Sequence, residues 1–241
     1  MKIVLSVLKP FLVYMLLALG TYLMLRLTID YSSFRTDIHF LRVKQDYLDN
    51  KVWLTAFYVH VFSSILALMA GFTQFSKYIL KKHRPLHRVV GRVYAVVILL
   101  INFPAGMIMA VYANGEWPSK LAFVILDILW FWFTLRAVQA ARGGRIDEHR
   151  RFMIRSFALT FSAITLRAWK LVLVPAFHPD PLTLYMIQAW IGFVPNLLFA
   201  EWIIRRKRSS PPLEVHNDQN KYANNNDQRS DKSKDGPEPA V

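Results

Sequence analysis

Apolar residues dominate six stretches of this 241-residue sequence, and polar and charged residues are concentrated between them. An apolar helix of about 20 residues spans the hydrocarbon core of a bilayer, because an α-helix rises about 1.5 Å per residue. The pattern therefore predicts an all-α polytopic membrane protein, a six-transmembrane-helix bundle in which spans two to five form a four-helix core. The predicted spans are 8–28, 53–75, 89–112, 120–141, 152–174 and 183–204.

The spans divide the chain into three predicted segments. Residues 1–52 hold the first span and an outer loop, and residues 53–208 form the core membrane domain with five spans. The first apolar run resembles a signal peptide, but no small-residue cleavage site follows it, which favours a retained span. Residues 209–241 are rich in Ser, Pro, Asn, Asp, Gln and Lys and too poor in apolar residues to form a core, so they are predicted to be a disordered tail.

Charge predicts the orientation of the bundle. The net charge of +14 comes mainly from basic residues in three regions, 77–92, 136–155 and 205–208, while the opposite connections carry no such excess. Cytoplasmic loops are enriched in Lys and Arg, so both termini are predicted to be cytoplasmic. We expect these loops to contact anionic lipid headgroups. Basic residues at helix ends do not indicate a nucleic-acid partner, which would need a basic patch on a soluble face.

The fifth predicted span carries a small and polar stripe on an otherwise apolar helix. Such a stripe faces other helices or a cavity, because lipid excludes it. Its residues, read at helical spacing, are His149, Met153, Ser156, Thr160, Ala163 and Arg167.

Four polar residues from four spans fall in one outer layer. His60, Asp127 and Arg167 each lie about 11 Å from the outer end of their spans, and Asn102 lies at a comparable depth. A lone charge in hydrocarbon is costly, so Asp127 is predicted to pair with Arg167, with His60 as a further partner. Two interpretations stay open. The layer is either a structural ion pair or a pocket that binds a ligand or relays protons.

An inner layer offers two histidines at the start of spans three and five. His87 and His149 could provide the axial pair for a haem iron, with nearby arginines holding the propionates. The alternative is that each histidine meets water or lipid phosphate at the interface. The arginines in question are Arg84, Arg88 and Arg150.

The sequence limits the chemistry in other respects. It contains no cysteine, which excludes disulfides, iron–sulfur ligation and thiol nucleophiles. It also has no G-x-S-x-G, no H-E-x-x-H and no paired carboxylates within one span. Catalytic residues are unknown at this stage, and whether the protein is an enzyme stays open.

Several blocks of residues resemble the bacterial membrane family known as domain of unknown function 2306. The resemblance runs from about residue 53 to about residue 206 and implies a location in the bacterial inner membrane. The blocks are His60; Gly71-Phe72; Gln74-Phe75; Arg84-Pro85-Leu86-His87-Arg88; Gly91-Arg92-Val93-Tyr94; Asp147; His149 to Ser156; Leu166-Arg167; Asn196; and Glu201-Trp202.

The sequence is also distantly similar to the six-helix transmembrane cytochromes b, which carry electrons from ascorbate across membranes. That resemblance implies one haem b on the cytoplasmic side between His87 and His149, and a quinone or other redox partner. The fourth helix offers Asp127 where those cytochromes have a histidine, so an outer haem is not expected. The alternatives are a protein that binds, transports or senses a small ligand in the outer layer, and a structural or assembly protein.

Overall fold

The computed structural model describes residues 2–208, so the predicted tail at 209–241 lies outside the described residues. The side chains of residues 2–11, 13, 77, 207 and 208 are likewise not described. The described residues up to Ile204 belong to one compact unit.

The regular structure of the described residues is helical, in agreement with the predicted all-α class. Ten α-helices follow one another: α1 Lys2–Asp30, α2 Lys51–Gln74, α3 Lys77–Lys82, α4 Arg84–Val96, α5 Phe103–Val111, α6 Glu116–Arg142, α7 Ile146–Thr160, α8 Ser162–Phe177, α9 Pro181–Ile191 and α10 Val194–Arg208. Between α1 and α2, residues 31–50 form three short 3₁₀ turns, and we call the side of the bundle that carries them the outer side.

Four helical segments are long and apolar enough to cross a membrane. They are Lys51–Gln74, Arg84–Val111, Glu116–Arg142 and Pro181–Arg206, which confirms predicted spans two, three, four and six. Predicted span five is broken into α7 and α8, which meet at 41° and form a fifth candidate only if the bent pair counts as one span. Predicted span one lies in α1, and a sixth span is not shown.

Proline accounts for two irregularities inside the spans. Pro104 has no N–H to donate to the preceding turn, and directly before it the backbone from Val97 to Asn102 widens into a π-helix. Pro195 likewise follows the break between α9 and α10.

The break between α7 and α8 has no proline and is stabilised by side chains. Thr165 donates a hydrogen bond to the Gly192 carbonyl at 2.5 Å, so it joins this break to the one between α9 and α10. Asn196 donates to Thr165 Oγ1 at 2.9 Å and to the Ala158 carbonyl at 3.2 Å. The two broken helices thus satisfy each other's backbone groups, which hydrocarbon requires.

Two clusters form the centre of the bundle. One packs Tyr94, Ile98, Trp130, Leu159 and Phe193 between α4, α6, α7 and the break after α9. The other is aromatic, lies on the outer side, and packs the 31–50 loop against α2. Its buried members are Tyr31, Leu41, Trp53 and Phe57.

Candidate functional site

A cavity of about 300 Å³ lies inside the bundle on the outer side, and we call it the outer cavity. Residues of α1, α2, α5 to α9 and the 31–50 loop line it, and most of them are apolar. Its polar lining includes His60, Asp127 and Arg167, three of the four residues predicted for the outer layer.

Asn102, the fourth predicted residue, is not among the residues that line this cavity. Its side chain is fully buried, and its Oδ1 accepts hydrogen bonds from Ser63 Oγ at 3.2 Å and Ser64 Oγ at 2.9 Å. A backbone group of Asn102, at the end of the π-helical turn, faces the imidazole of His60. Asn102 therefore contributes to the site through its backbone and by positioning α2.

Asp127 is the most deeply buried acid of the site. It is 4% exposed, and its Oδ2 is enclosed without a hydrogen-bond partner. A Cβ added to Gly106 would lie 2.9 Å from Asp127 Oδ1 and 3.2 Å from Oδ2, so only a glycine leaves room for the carboxylate there. No pattern in the sequence indicated this role of Gly106.

The predicted ion pair between Asp127 and Arg167 is not formed: among the described residues, no salt bridge within 4.0 Å involves either side chain. Arg167 Nη1 instead donates to the Ala163 carbonyl of its own helix at 2.8 Å. The cause is the bend at Phe161. It allows α7 to pack along α6 but directs α8, which carries Arg167, away from Asp127.

Lys44 is a second cation of the outer cavity, and sequence reasoning missed it. It is 2% exposed, donates a hydrogen bond to the Tyr112 carbonyl, and lies 4.6 Å from the centroid of the Tyr47 ring. Burial, followed by the positive charge of Lys120, lowers the pKa of Lys44 to about 8. Its neighbours in sequence are typical of a charged surface loop, so no local signal indicated burial.

Five residues form a closed chain of hydrogen bonds at the inner end of the cavity. The Trp130 indole N–H can only donate and the Trp130 carbonyl can only accept, so the hydroxyls between them align in one direction. The chain ties the fourth span to α4 and α7. It runs from Trp130 Nε1 to Thr160 (3.0 Å), Tyr94 (2.8 Å), Ser156 (2.7 Å), Thr134 (2.7 Å) and back to the Trp130 carbonyl (2.7 Å).

The polar stripe predicted on the fifth span explains part of this arrangement. Ser156 and Thr160 enter the hydroxyl chain, and Ala163 and Arg167 line the outer cavity. The stripe thus faces inward as expected. Tyr94 and Trp130 were missed because their apolar rings fit a core pattern equally well.

His87 and His149 lie on the inner side, close enough for their charges to interact, and neither lines the outer cavity. His149 Nδ1 hydrogen-bonds the Ala137 carbonyl at 2.9 Å, and His87 Nδ1 is buried without a partner. The three arginines predicted to hold propionates are all exposed. They are Arg84, Arg88 and Arg150. Across residues 2–208, no group of three or more His, Cys, Asp or Glu side chains is arranged to hold a metal ion.

The inner side also holds an ion pair between spans. Arg155 of α7 meets Glu201 of α10 through two contacts of 2.5 and 3.0 Å. Its guanidinium lies 5.3 Å from the centroid of the Phe152 ring. Arg155 was assigned only a topological role from the sequence, and its spatial partner 46 residues away could not be read from local pattern.

These helices, with a few polar residues gathered at a largely apolar cavity, define a helical membrane protein. The family described as predicted membrane protein (DUF2306) matches residues 57–204, and the chain belongs to this family. The sequence resemblance to it is confirmed. No curated protein and no solved structure matches the chain.

Proposed function

We propose that this membrane protein binds a small ligand in the outer cavity, as part of transport or sensing. The observation that carries the proposal is the buried carboxylate of Asp127, which lines the cavity and whose Oδ2 has no hydrogen-bond partner. Burying a charged or polar group without a hydrogen bond costs several kcal/mol. A ligand that donates a hydrogen bond to Asp127 would remove this cost.

The surroundings of Asp127 support a ligand site. Binding pockets are concave and mostly apolar, with a few polar groups that orient the ligand. The outer cavity has this character, since His60, Asp127 and Arg167 are polar groups among apolar walls. The structural alternative required an ion pair between Asp127 and Arg167, and the described geometry provides none.

A ligand screen with an isosteric variant tests the proposal. The purified protein is screened against small amphipathic compounds by thermal unfolding, together with Asp127→Asn. Thr55→Val is the matched control, because Thr55 is an exposed polar residue of α2 that lines a separate groove. Compounds that raise the melting temperature of the protein and of Thr55→Val, but not of Asp127→Asn, support the proposal. Equal stabilisation of all three proteins contradicts it.

A second candidate function is the binding of one haem b for electron transfer at the inner side. His87 and His149 lie close enough for their charges to interact, which favours it, and so does the bond from His149 Nδ1 to the Ala137 carbonyl, which leaves Nε2 for a metal. Arg84, Arg88 and Arg150 would hold the propionates. Haem supplies one-electron chemistry when bound, and a quinone or another redox partner would complete the reaction.

An absorption spectrum decides the second candidate. The protein is expressed with haem precursor available and measured oxidised and dithionite-reduced, with His87→Ala, His149→Ala and the control His178→Ala. A Soret band with sharp reduced α and β bands, lost in the first two variants only, supports haem binding. A colourless protein at full yield rejects it.

We also propose that the protein lies in a bacterial inner membrane with both termini in the cytoplasm. The distribution of Lys and Arg supports this orientation. Because the sequence has no cysteine, single-cysteine variants can be labelled without background. A membrane-impermeant maleimide should label Ser33→Cys but not Lys82→Cys in intact cells. The reverse pattern would invert the topology.

A further inference from the structure

We propose that the ligand of the outer cavity is an amphiphilic organic monoanion, with its acidic head between Lys44 and Arg167 and its apolar chain directed toward the inner end. This inference rests on the proposed function and names the chemical class of its ligand.

Two cations reach the outer end of the cavity without a carboxylate to neutralise them. Within the described chain, neither Lys44 nor Arg167 forms a salt bridge. Arg167 uses one guanidinium nitrogen for the Ala163 carbonyl, and further N–H groups remain for a ligand. Carboxylates and phosphates are the groups that a guanidinium binds in bidentate fashion.

The 31–50 loop brings the second cation to the same end. Tyr31 of this loop lies close enough to Arg167 for their charges to interact, and its hydroxyl accepts a hydrogen bond from the Phe40 N–H at 3.1 Å. Tyr31, Phe40 and Lys44 all line the outer cavity. Lys44 therefore reaches the cavity on the same loop as Tyr31, which lies near Arg167.

The charge of the side chains that line the cavity favours a ligand with one negative charge. The cavity lining has two cations, Lys44 and Arg167, and one acid, Asp127. With His60 counted as a neutral imidazole, the lining carries one net positive charge when Asp127 is ionised and two when it is protonated. A ligand with one negative charge is therefore attracted in both states, and it neutralises the lining when Asp127 is ionised.

The residues at the inner end of the cavity favour a ligand with an apolar chain. Ile65, Leu68 and Leu159 line it there, and the hydroxyl chain through Trp130 closes it. Arg167 and Leu159 are eight residues apart along the bent helix pair, which corresponds to about 12 Å. Asp127 also lines the cavity, and a hydroxyl or amide N–H within the ligand chain would donate to its carboxylate.

Matched decyl probes test the class. The protein is reconstituted in nanodiscs of zwitterionic lipid, and the binding of radiolabelled decanoate, decyl phosphate, decanol and decyltrimethylammonium is compared. We expect decanoate to bind at least about tenfold more tightly than decanol, because charge-assisted hydrogen bonds contribute about 1.5–3 kcal/mol. If decyl phosphate binds more tightly than decanoate, the acidic head of the ligand is a phosphate of lipid type. Decanoate as the tighter anion would assign it to a carboxylic acid.

Variants that remove one positive charge test where the acidic head of the ligand binds. Arg167→Gln and Lys44→Gln should each weaken decanoate about tenfold and leave decanol unchanged. Lys51→Gln removes a cation that lines the separate groove of Thr55, so it should change the affinity for neither decanoate nor decanol. Lys44→Arg keeps the charge and should retain decanoate binding, which separates a folding defect from a lost contact.

Two outcomes overturn the inference and leave the proposed function standing. In the first, decanoate and decanol bind with equal affinity, and Asp127→Asn binds neither. In the second, decyltrimethylammonium binds most tightly, and Asp127→Asn no longer binds it. If no probe binds while the compound screen still gives ligands that depend on Asp127, the anionic class is again wrong. If neither the probes nor any screened compound depends on Asp127, the proposed function fails as well.

Discussion

Gly106 lies directly against the carboxylate of Asp127. A Cβ at residue 106 would be 2.9 Å from Asp127 Oδ1 and 3.2 Å from its Cγ, which is closer than side chains pack. The carboxylate is enclosed, so the space left by this glycine helps to determine where Asp127 lies at the cavity wall.

Replacing Gly106 by alanine should therefore displace Asp127 and abolish ligand stabilisation. We expect Gly106→Ala to fold with a loss of about 1–3 kcal/mol from overpacking. Gly91→Ala in the same span is the control, because the nearest atom there is the end of the flexible Gln74 side chain at 3.1 Å. Thermal unfolding with and without a ligand from the screen measures both effects. Unchanged ligand stabilisation in Gly106→Ala would contradict the role assigned to Asp127.

Exchanging the charges of Asp127 and Arg167 should not restore a protein damaged by the single changes, because the two side chains are not paired. Yield and melting temperature of Asp127→Arg, Arg167→Asp and the double variant measure this. A double variant close to the original protein would show that they do pair in the membrane.

The ion pair between Arg155 and Glu201 on the inner side should, in contrast, contribute to stability. Arg155 and Glu201 contact each other directly, at 2.5 Å, so Glu201→Gln should cost roughly 2 kcal/mol of stability. The exchange Arg155→Glu with Glu201→Arg should recover part of that loss. A double-mutant cycle on melting temperature gives the coupling, and a coupling near zero would show that the pair contributes nothing.

Removing one hydroxyl should weaken the hydrogen-bond chain around Trp130. Tyr94→Phe deletes the oxygen that links Thr160 to Ser156, and we expect a loss of about 1–2 kcal/mol. Tyr22→Phe is the control, since Tyr22 is 55% exposed on α1. Equal melting temperatures for the two variants would argue against a stabilising chain.

Stability should depend on pH through Lys44. Its folded pKa is about 8, while an unfolded lysine titrates near about 10.4, so the folded state binds fewer protons between these values. Stability from this group therefore rises with pH from about 8 to about 10. Lys120 adds to the lowering and Asp46 opposes it.

The matched variant for this effect is Lys44→Gln, which cannot titrate. The protein should gain melting temperature relative to Lys44→Gln between about pH 7 and about pH 9.5. If the melting temperatures of the two proteins change with pH in the same way, Lys44 is solvated.

The sequence by itself determined the class of the protein and the position of four spans. Apolar length is a local property, and a helix in lipid satisfies its own backbone, so each span could be predicted without knowledge of its neighbours. The sequence also selected His60, Asp127 and Arg167, because a polar residue within an apolar span is conspicuous. Those three residues do line one cavity.

Only the tertiary structure decided which of these residues touch. Contact depends on helix rotation and bending, and the bend at Phe161 separates Arg167 from Asp127 although their depths are similar. The burial of Lys44 depends on how the 31–50 loop folds over α2 and Tyr112, which lies 68 residues away. Gly106 matters through the space that its missing side chain leaves for a neighbouring helix, and no pattern along a single helix contains that information.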